Sequence, residues 1–211
     1  MIRAWLDSLP LVAILRGLRP EEALDIGHAL AAETFTVIEV PMNSPQPLDS
    51  IRSLSAELGQ RCLIGAGTVL HPDQVAQVAA AGGRLIVMPH ADTQVIAAAK
   101  RAGMYCIPGV ATPTEAFAAL QAGADAIKLF PAELLTPPVL KAWRAVLPRG
   151  LAILPVGGIT PETMAPYIAA GANGFGLGSA LYVPGRAADD VGRRARAFAQ
   201  AWKTSSQGNH A

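Results

Sequence analysis

The chain has 211 residues, of which 51% are hydrophobic and 16% charged, with a formal net charge of +1. That length is enough for one large domain with a substantial core. The balanced charge, without a long basic or acidic run, argues against a nucleic-acid partner. Aromatic residues make up only 5%, so Ala, Leu, Val and Ile must supply most of the packing, as is typical of a layered α/β domain.

The N-terminal run MIRAWLDSLPLVAILRG is short and is interrupted by Pro10. It lacks the layout of a signal peptide, and no stretch of the chain is long enough to span a bilayer. Cys62 and Cys106 lie in apolar runs without metal-binding spacing, as expected for buried thiols in a reducing compartment. These features predict a soluble cytoplasmic protein.

Short apolar runs recur along the chain, and several are rich in Val and Ile, as in parallel strands covered on both faces. In chain order these predicted strands are 11–15, 36–40, 62–66, 85–88, 104–107, 126–130, 152–156 and 174–177. Ala- and Leu-rich segments between them, such as 72–81 and 91–102, have helical periodicity.

Helix starts and ends are marked between the runs. Thr112-Pro113-Thr114-Glu115 is a capping box with proline at the first helical position, and Thr160-Pro161-Glu162 repeats the threonine and the proline. Glycine follows four helical segments, as expected at helix C-termini; these are Gly82, Gly103, Gly123 and Gly171.

Eight such β-α units without a linker predict one domain, a (β/α)8 TIM barrel over residues 1–203. A doubly wound sheet is the alternative, but Arg16-Gly17-Leu18-Arg19-Pro20 after the first strand is not its glycine fingerprint. The polar segment 204–211 is predicted to be a disordered tail.

Lys128 is the most unusual residue of the predicted strands, because it lies at the end of an apolar run in Ile127-Lys128-Leu129-Phe130-Pro131. Burial disfavours the ammonium form, so the amine is more often neutral and nucleophilic, as a Schiff-base lysine must be. The alternative is a lysine that extends to solvent or pairs with a core carboxylate.

Active sites of TIM barrels lie at the C-terminal ends of the strands, where Arg16, Glu39, Gly65-Ala66-Gly67-Thr68 and Pro89-His90 fall. Alternation along the strands directs Glu39 and Lys128 toward the barrel axis, where they would meet. A carboxylate there could move protons for chemistry at Lys128. The alternative is a structural ion pair between Glu39 and Arg16.

Two glycine turns follow the seventh and eighth predicted strands, at Gly157-Gly158 and at Gly178-Ser179. Barrel loops at these two places frequently bind phosphate through backbone N–H groups, so the turns predict a phosphate site.

No metal site is predicted, since the histidines, His28, His71, His90 and His210, lack the spacing of metal ligands. Only His90 lies at a strand end, where it would contact substrate or lie in a surface loop.

Together these motifs resemble the class I aldolases that act on 2-keto-3-deoxy-6-phospho sugar acids, from Ala13-Ile14-Leu15-Arg16-Gly17 to Gly176-Leu177-Gly178-Ser179. Phosphogluconate enzymes of this family typically carry an arginine four residues after the glutamate and a threonine before the Gly-Gly pair. This chain has Asn43 and Val156 there and is similar to the phosphogalactonate branch. Met88-Pro89-His90 stands where that branch usually has Thr-Pro-Asn, although the proline thought to orient the glutamate is kept.

The resemblance implies cleavage of 2-dehydro-3-deoxy-6-phospho-D-galactonate to pyruvate and D-glyceraldehyde 3-phosphate by a homotrimer without a cofactor. It assigns imine formation to Lys128 and proton transfer to Glu39. Arg16 and Thr68 would orient the pyruvate half, and Phe130 would limit water. Phosphate would be held by Gly158, Gly178 and Ser179.

Three other readings remain open from the residues alone. The 6-phosphogluconate epimer would be the main substrate if Asn43 and Val156 do not set the preference. Another phosphate-binding TIM-barrel enzyme, such as an isomerase, an epimerase or a thiazole-type synthase, would use the glycine turns without an imine. A sugar-phosphate-binding regulatory barrel would bind ligand without turnover.

Overall fold

Short parallel strands alternate with helices in a computed structural model that describes residues 2–207. The strands are β1 Leu11–Ile14, β2 Val37–Pro41, β3 Leu63–Gly67, β4 Leu85–Val87, β5 Tyr105–Ile107, β6 Gly109–Val110, β7 Ile127–Leu129, β8 Ile153–Pro155 and β9 Phe175–Leu177. The helices are α1 Arg3–Leu6, α2 Ala23–Ala32, α3 Pro47–Leu58, α4 Pro72–Ala80, α5 Thr93–Arg101, α6 Pro113–Gln121, α7 Pro137–Arg144, α8 Met164–Ala169 and α9 Ala188–Gln207, with 3-10 turns at Pro20–Glu22 and Pro161–Thr163.

The strands form two parallel sheets. One has the order β5-β4-β3-β2-β1-β9, and the other has the order β6-β7-β8. An isolated parallel bridge between Val156 and Gly176 links the end of β8 to β9. The α/β class with a parallel sheet is thus confirmed. β6 was not predicted; it follows β5 after Pro108, which has no N–H to continue the ladder.

Two apolar layers cover the faces of the strands. Ile38, Val40, Ile127 and Leu129 belong to the layer between strands and helices, whereas Val37 and Ala126 belong to the layer on the other face. The predicted alternation of side chains between the two faces of the strands 36–40 and 126–130 is therefore confirmed. Because parallel strands pack on both faces, each run is almost wholly apolar except for Glu39 and Lys128.

Helix α1 covers the N-terminal ends of the strands. Ile2 and Leu6 pack into the inner apolar layer, and Trp5 lies partly buried against it. Thr36 donates its hydroxyl to the carbonyl of Trp5 at 2.6 Å, and the guanidinium of Arg84 lies 5.1 Å from the Trp5 ring centroid. The chain before β1 therefore closes the end of the sheet opposite the predicted site.

Helix capping follows the predicted signals at several positions. The Thr112 hydroxyl accepts a hydrogen bond from the Glu115 N–H at 3.2 Å, and the Glu115 carboxylate accepts one from the Thr112 N–H at 2.9 Å. The expected capping box is therefore confirmed. Thr160 is likewise an N-cap followed by proline, but of a 3-10 turn ahead of α8. Gly82, Gly103, Gly123 and Gly171 all have positive φ, as the C-terminal glycine pattern predicted.

The C-terminal helix extends further than predicted. Residues 204–207, which we expected to be disordered, continue α9, while 208–211 lie outside the described residues. The Trp202 ring makes an edge contact with the Phe175 ring at 6.2 Å between centroids, which anchors the last turns of the helix. Within residues 2–207 no helix has both the length and the apolar character needed to cross a membrane.

Candidate active site

A cavity of about 730 Å³ lies at the C-terminal ends of the strands. Its walls come from loops that follow β1, β2, β7, β8 and β9. The predicted site residues that line it are Arg16, Asn43, Lys128, Phe130, Val156, Gly157, Gly158, Gly178 and Ser179. The structure thus brings together residues from five separate units of the chain, as expected of a site built on strand ends.

Lys128 lies on β7 between Gly109 of β6 and Leu154 of β8, and it is only 7% exposed. Its Nζ lies 4.5 Å from the centroid of the Phe130 ring. Burial lowers the pKa of the Lys128 amine, and the positive charge of Arg16 lowers it further, while Glu39 acts in the opposite direction. The amine is therefore more readily neutral than an ordinary lysine.

Glu39 lies on β2 and is 2% exposed. Its Oε2 atom has no hydrogen-bond partner among the described residues. Burial raises the pKa of this carboxyl group above its ordinary value, although the charges of Lys128 and Arg16 partly oppose the shift. A carboxyl group with a raised pKa can exchange protons nearer neutral pH, as a general acid or base must.

Glu39 and Lys128 reach the same small gap, of about 10 Å³, in the interior of the sheet. Lys128 also lines the large cavity, so Glu39 lies beneath it. In the part of the chain that the structure describes, no ion pair of 4.0 Å or less joins Glu39 to Arg16 or to Lys128. The alternative of a structural Glu39–Arg16 pair is therefore not observed, and the buried carboxylate stays available for another partner.

Gly67 provides the space that Glu39 occupies. It pairs with Pro41 across β2 and β3, and a Cβ atom at this position would overlap Glu39 Oε2 and lie 2.5 Å from Cδ. The sequence drew attention to the Gly65-Ala66-Gly67-Thr68 motif, but it did not reveal that Gly67 leaves space for the Glu39 side chain. The buried carboxylate of Glu39 thus requires glycine at this position.

Arg16 lies at the mouth of the cavity, after β1. It donates a hydrogen bond to Asn43 Oδ1 at 2.7 Å and a longer one to Thr68 Oγ1 at 3.4 Å. The neighbouring Gly17 N–H donates to the Ser44 hydroxyl at 2.9 Å. Thr68 has a φ of 54°, a left-handed conformation uncommon for threonine. The three loops are therefore tied together around one guanidinium that can bind an anion.

The two predicted phosphate turns face the same cavity. Gly157 and Gly158 have φ values of 113° and 63°, which glycine adopts far more easily than other residues. In the second turn, the Leu181 and Tyr182 N–H groups donate to the Gly178 carbonyl at 2.9 and 3.0 Å. Backbone N–H groups in such turns can bind an anion.

Four predicted residues lie outside the lining of the large cavity. Glu39 lies beneath it, Thr68 accepts a hydrogen bond from Arg16, and the other two are Pro89 and His90. Pro89 packs against β6, where a Cβ atom on Gly109 would lie 2.6 Å from the Pro89 carbonyl carbon. His90 is exposed in the loop after β4, which agrees with the predicted alternative of a surface-loop histidine.

Across residues 2–207, no group of three or more His, Cys, Asp or Glu side chains could hold a metal ion.

Sequence reasoning missed several lining residues, notably Glu133, Thr160, Tyr182 and Pro184. Glu133 lies against the first turn, since a Cβ atom on Gly158 would come within 2.9 Å of its Cγ. These residues lie in loops beyond the strand ends, where strand periodicity gives no side-chain direction. Only the closeness of Glu133 to Lys128 in the chain offered a signal.

Comparison with known proteins extends these observations. The chain is 46% identical over 203 residues to 2-dehydro-3-deoxy-6-phosphogalactonate aldolase of Escherichia coli K12, covering 96% of this chain and 99% of that protein. A native KDPGal structure, also 46% identical, superposes with a TM-score of 0.94 over 96% of this chain and 98% of that one.

A KDPG aldolase of Legionella pneumophila, with pyruvate captured as a covalent carbinolamine, is 29% identical, with a TM-score of 0.79 over 94% of this chain and 95% of that one. The family model described as KDPG and KHG aldolase matches residues 2–193. That match spans the strands that carry Arg16, Glu39, Lys128 and the glycine turns. The chain therefore belongs to the KDPG and KHG aldolase family, and the resemblance drawn from the sequence motifs is confirmed.

Proposed function

We propose that the protein is a Schiff-base aldolase that cleaves 2-dehydro-3-deoxy-6-phospho-D-galactonate to pyruvate and D-glyceraldehyde 3-phosphate. The observation that carries this proposal is Lys128, a buried amine with a lowered pKa at the base of a cavity rimmed by glycine turns. The name of the Escherichia coli relative and the pyruvate carbinolamine of the Legionella pneumophila relative support it.

Lys128 starts the reaction as a nucleophile. Its neutral amine attacks the C2 ketone of the substrate to give a carbinolamine, which loses water to form an iminium. The iminium withdraws electrons from C3, so no cofactor is needed for this step. Phe130, whose ring lies beside the amine, limits the access of water to the iminium.

Glu39 then acts as the proton carrier. Its carboxylate, directly or through one water, takes the proton of the C4 hydroxyl group while the C3–C4 bond breaks. The bonding electrons flow to the iminium, which leaves an enamine on Lys128 and releases D-glyceraldehyde 3-phosphate. Protonation of C3 and hydrolysis of the imine then release pyruvate and restore the amine.

The other site residues position the two halves of the substrate. Arg16, held by Asn43 and Thr68, orients the pyruvate carboxylate and neighbouring oxygens. The backbone of Gly158, Gly178 and Ser179 binds the phosphate at the other end of the cavity. This assignment agrees with the cavity lining, in which Lys128 and the glycine turns face one space.

The choice of the galactonate epimer depends on residues near the cavity wall. Asn43 hydrogen-bonds the Arg16 guanidinium, and Val156 places an apolar side chain before Gly157. The phosphogluconate branch typically has arginine and threonine at these positions. A second guanidinium beside Arg16 would repel it, so Asn43 creates a different polar environment for the C4 region.

Reductive trapping tests the proposed chemistry. Borohydride added with labelled pyruvate is expected to leave a pyruvyl adduct on Lys128, found by peptide mapping. Lys128→Ala is expected to lose both the adduct and pyruvate release, whereas Lys141→Ala, at an exposed lysine of α7, is expected to keep both. An adduct on another lysine, or none, would favour a phosphate-binding isomerase or epimerase.

Assays with both C4 epimers test the substrate. We expect a higher kcat/KM for the phosphogalactonate than for the phosphogluconate compound, and the reverse order would assign the chain to the other branch. Binding of either compound to a protein that shows no turnover, although Lys128 is intact, would support a regulatory barrel.

We also infer that the two sheets close into a complete eight-stranded (β/α)8 barrel, with β5 and β6 counted as one strand interrupted at Pro108. The Val156–Gly176 bridge supports closure on one side, and the hydrogen bond from the Lys128 N–H to the Pro108 carbonyl, at 2.9 Å, supports it on the other.

A cytoplasmic homotrimer in galactonate catabolism is the setting that the family resemblance favours. Large apolar side chains remain exposed on the isolated chain, with Leu134 at 75% and Val146 at 59%, and these would suit a subunit interface. Light scattering coupled to size-exclusion chromatography measures the mass; a monomer would contradict the trimer.

A further inference from the structure

Arg186 contacts the second glycine turn but is not among the residues that line the large cavity; it lines a separate pocket instead. Its Nη1 donates hydrogen bonds to three successive carbonyl oxygens, at 2.8 Å to Leu181, 3.3 Å to Ser179 and 3.5 Å to Ala180. The side chain is only 14% exposed. One guanidinium thus binds the carbonyl face of residues 178–182, which we call the phosphate turn.

Fixing these carbonyl groups also fixes the N–H groups of the phosphate turn. The peptide unit is planar, so the carbonyl of one residue and the N–H of the next point in opposite directions. With the Ser179 carbonyl directed to Arg186, the Ala180 N–H is directed the other way, toward the cavity that Ser179 and Ala180 line. The Leu181 and Tyr182 N–H groups are already used by the Gly178 carbonyl.

A second arginine acts on the same turn. Arg194 donates to the Ala180 carbonyl at 3.1 Å and to Asp190 Oδ2 at 3.1 Å. Asp190 also lies 3.3 Å from the Nε of Arg186. Asp190 therefore contacts three guanidinium groups, those of Arg186, Arg194 and Arg193, and holds Arg186 and Arg194 against the same turn.

We infer that Arg186 is a positioning residue for the substrate phosphate, a role that rests on the proposed function. It does not touch the ligand. It holds the carbonyl groups of the phosphate turn away from the cavity, so that N–H groups rather than carbonyl oxygens face the phosphate. Without it, the turn could rotate and present carbonyl oxygens, which repel an anion.

Arg186→Met keeps the apolar stem and removes the guanidinium, and Arg193→Met is the matched control. Arg193 lies on the same helix, is 70% exposed and donates to Asp190 at 3.2 Å; within residues 2–207 no hydrogen bond links it to the phosphate turn. Two readouts separate the ends of the cavity. Binding of inorganic phosphate, followed by 31P NMR, reports on the turn, and borohydride trapping of pyruvate reports on Lys128.

Arg186→Met is expected to weaken phosphate binding about 10-fold, as for loss of a charged hydrogen bond. The KM for the phosphorylated substrate should rise in parallel, while pyruvate trapping stays within about twofold of the unchanged protein. Arg186→Lys should recover most of the loss, and Arg193→Met should behave as the unchanged protein.

Three results would overturn the inference. Phosphate binding by folded Arg186→Met could stay within about twofold of the unchanged protein, Arg193→Met could weaken it equally, or pyruvate trapping could fall as far as phosphate binding. If Arg186→Met does not fold, Arg194→Met replaces it, and its affinity for inorganic phosphate is expected to fall about threefold. An unchanged affinity in Arg194→Met would then contradict the inference. Lack of a pyruvate adduct in the unchanged protein would contradict only the aldolase chemistry, because phosphate binding is measured without it.

Discussion

Gly67→Ala tests whether the buried position of Glu39 matters for turnover. The added Cβ would lie 2.5 Å from Glu39 Cδ, about 1 Å closer than the usual separation of about 3.5 Å between carbon atoms. Glu39 is 2% exposed, so its carboxylate cannot move into solvent and must shift within the sheet. A displacement of about 1 Å at a catalytic group can cost about 100-fold in rate, and we expect kcat to fall by about that factor.

The same overlap should lower stability only moderately. Added volume in a packed interior costs about 1–3 kcal/mol, which lowers Tm by about 2–12 °C in a chain of this size. Pyruvate release is measured with a coupled dehydrogenase, and Tm by calorimetry. The matched control is Gly192→Ala on α9, where the nearest atom to a new Cβ, on Ala29, lies at an ordinary 3.9 Å. A Gly67→Ala protein that retains kcat within about threefold would refute the placement argument.

Two further predictions concern stability. Burial raises the pKa of Glu39 in the folded protein, so the stability that this group contributes is present below the ordinary carboxyl pKa and is lost as pH rises through the folded value. Between the ordinary and the raised carboxyl pKa, the Tm of Glu39→Gln should therefore increase relative to that of the unchanged protein. A difference in Tm between the two proteins that does not change with pH would contradict the raised pKa. Thr112→Ala removes the hydroxyl that accepts the Glu115 N–H and should cost about 0.5–2 kcal/mol in chemical denaturation without a change in kcat. A loss of activity would contradict this purely structural role.

The sequence was most informative where backbone periodicity fixes side-chain direction. Lys128 and Glu39 could be assigned to the inner face because side chains alternate strictly along a strand, and each is the exception in an apolar run. The glycine turns after β8 and β9 could be located in the same way, because their positions follow from the order of the strands.

Loop contacts could not be predicted in this way. The direction of Glu133, and the reach of Arg186 across the phosphate turn, depend on tertiary packing with no repeat in the sequence. Pro108 lacks the N–H group that would continue the ladder, which explains why β5 ends before it. The apolar run 104–107 predicted one strand there and gave no sign of β6. The end of α9 was misjudged because the segment 204–206 is polar, whereas the contact of Trp202 with Phe175 holds the helix beside the sheet.

The closure of one end of the sheet by α1 has a kinetic consequence. Ile2 and Leu6 fill the inner apolar layer below the strands, so Lys128 is reached from the wide cavity at the opposite end. In the proposed mechanism the three-carbon fragment stays bound to Lys128, while the phosphorylated aldehyde lies beside the phosphate turn. The aldehyde must therefore leave first and pyruvate second, and in the synthetic direction pyruvate must bind before the aldehyde. Product inhibition should accordingly be ordered, with pyruvate competitive against the six-carbon substrate and the aldehyde noncompetitive.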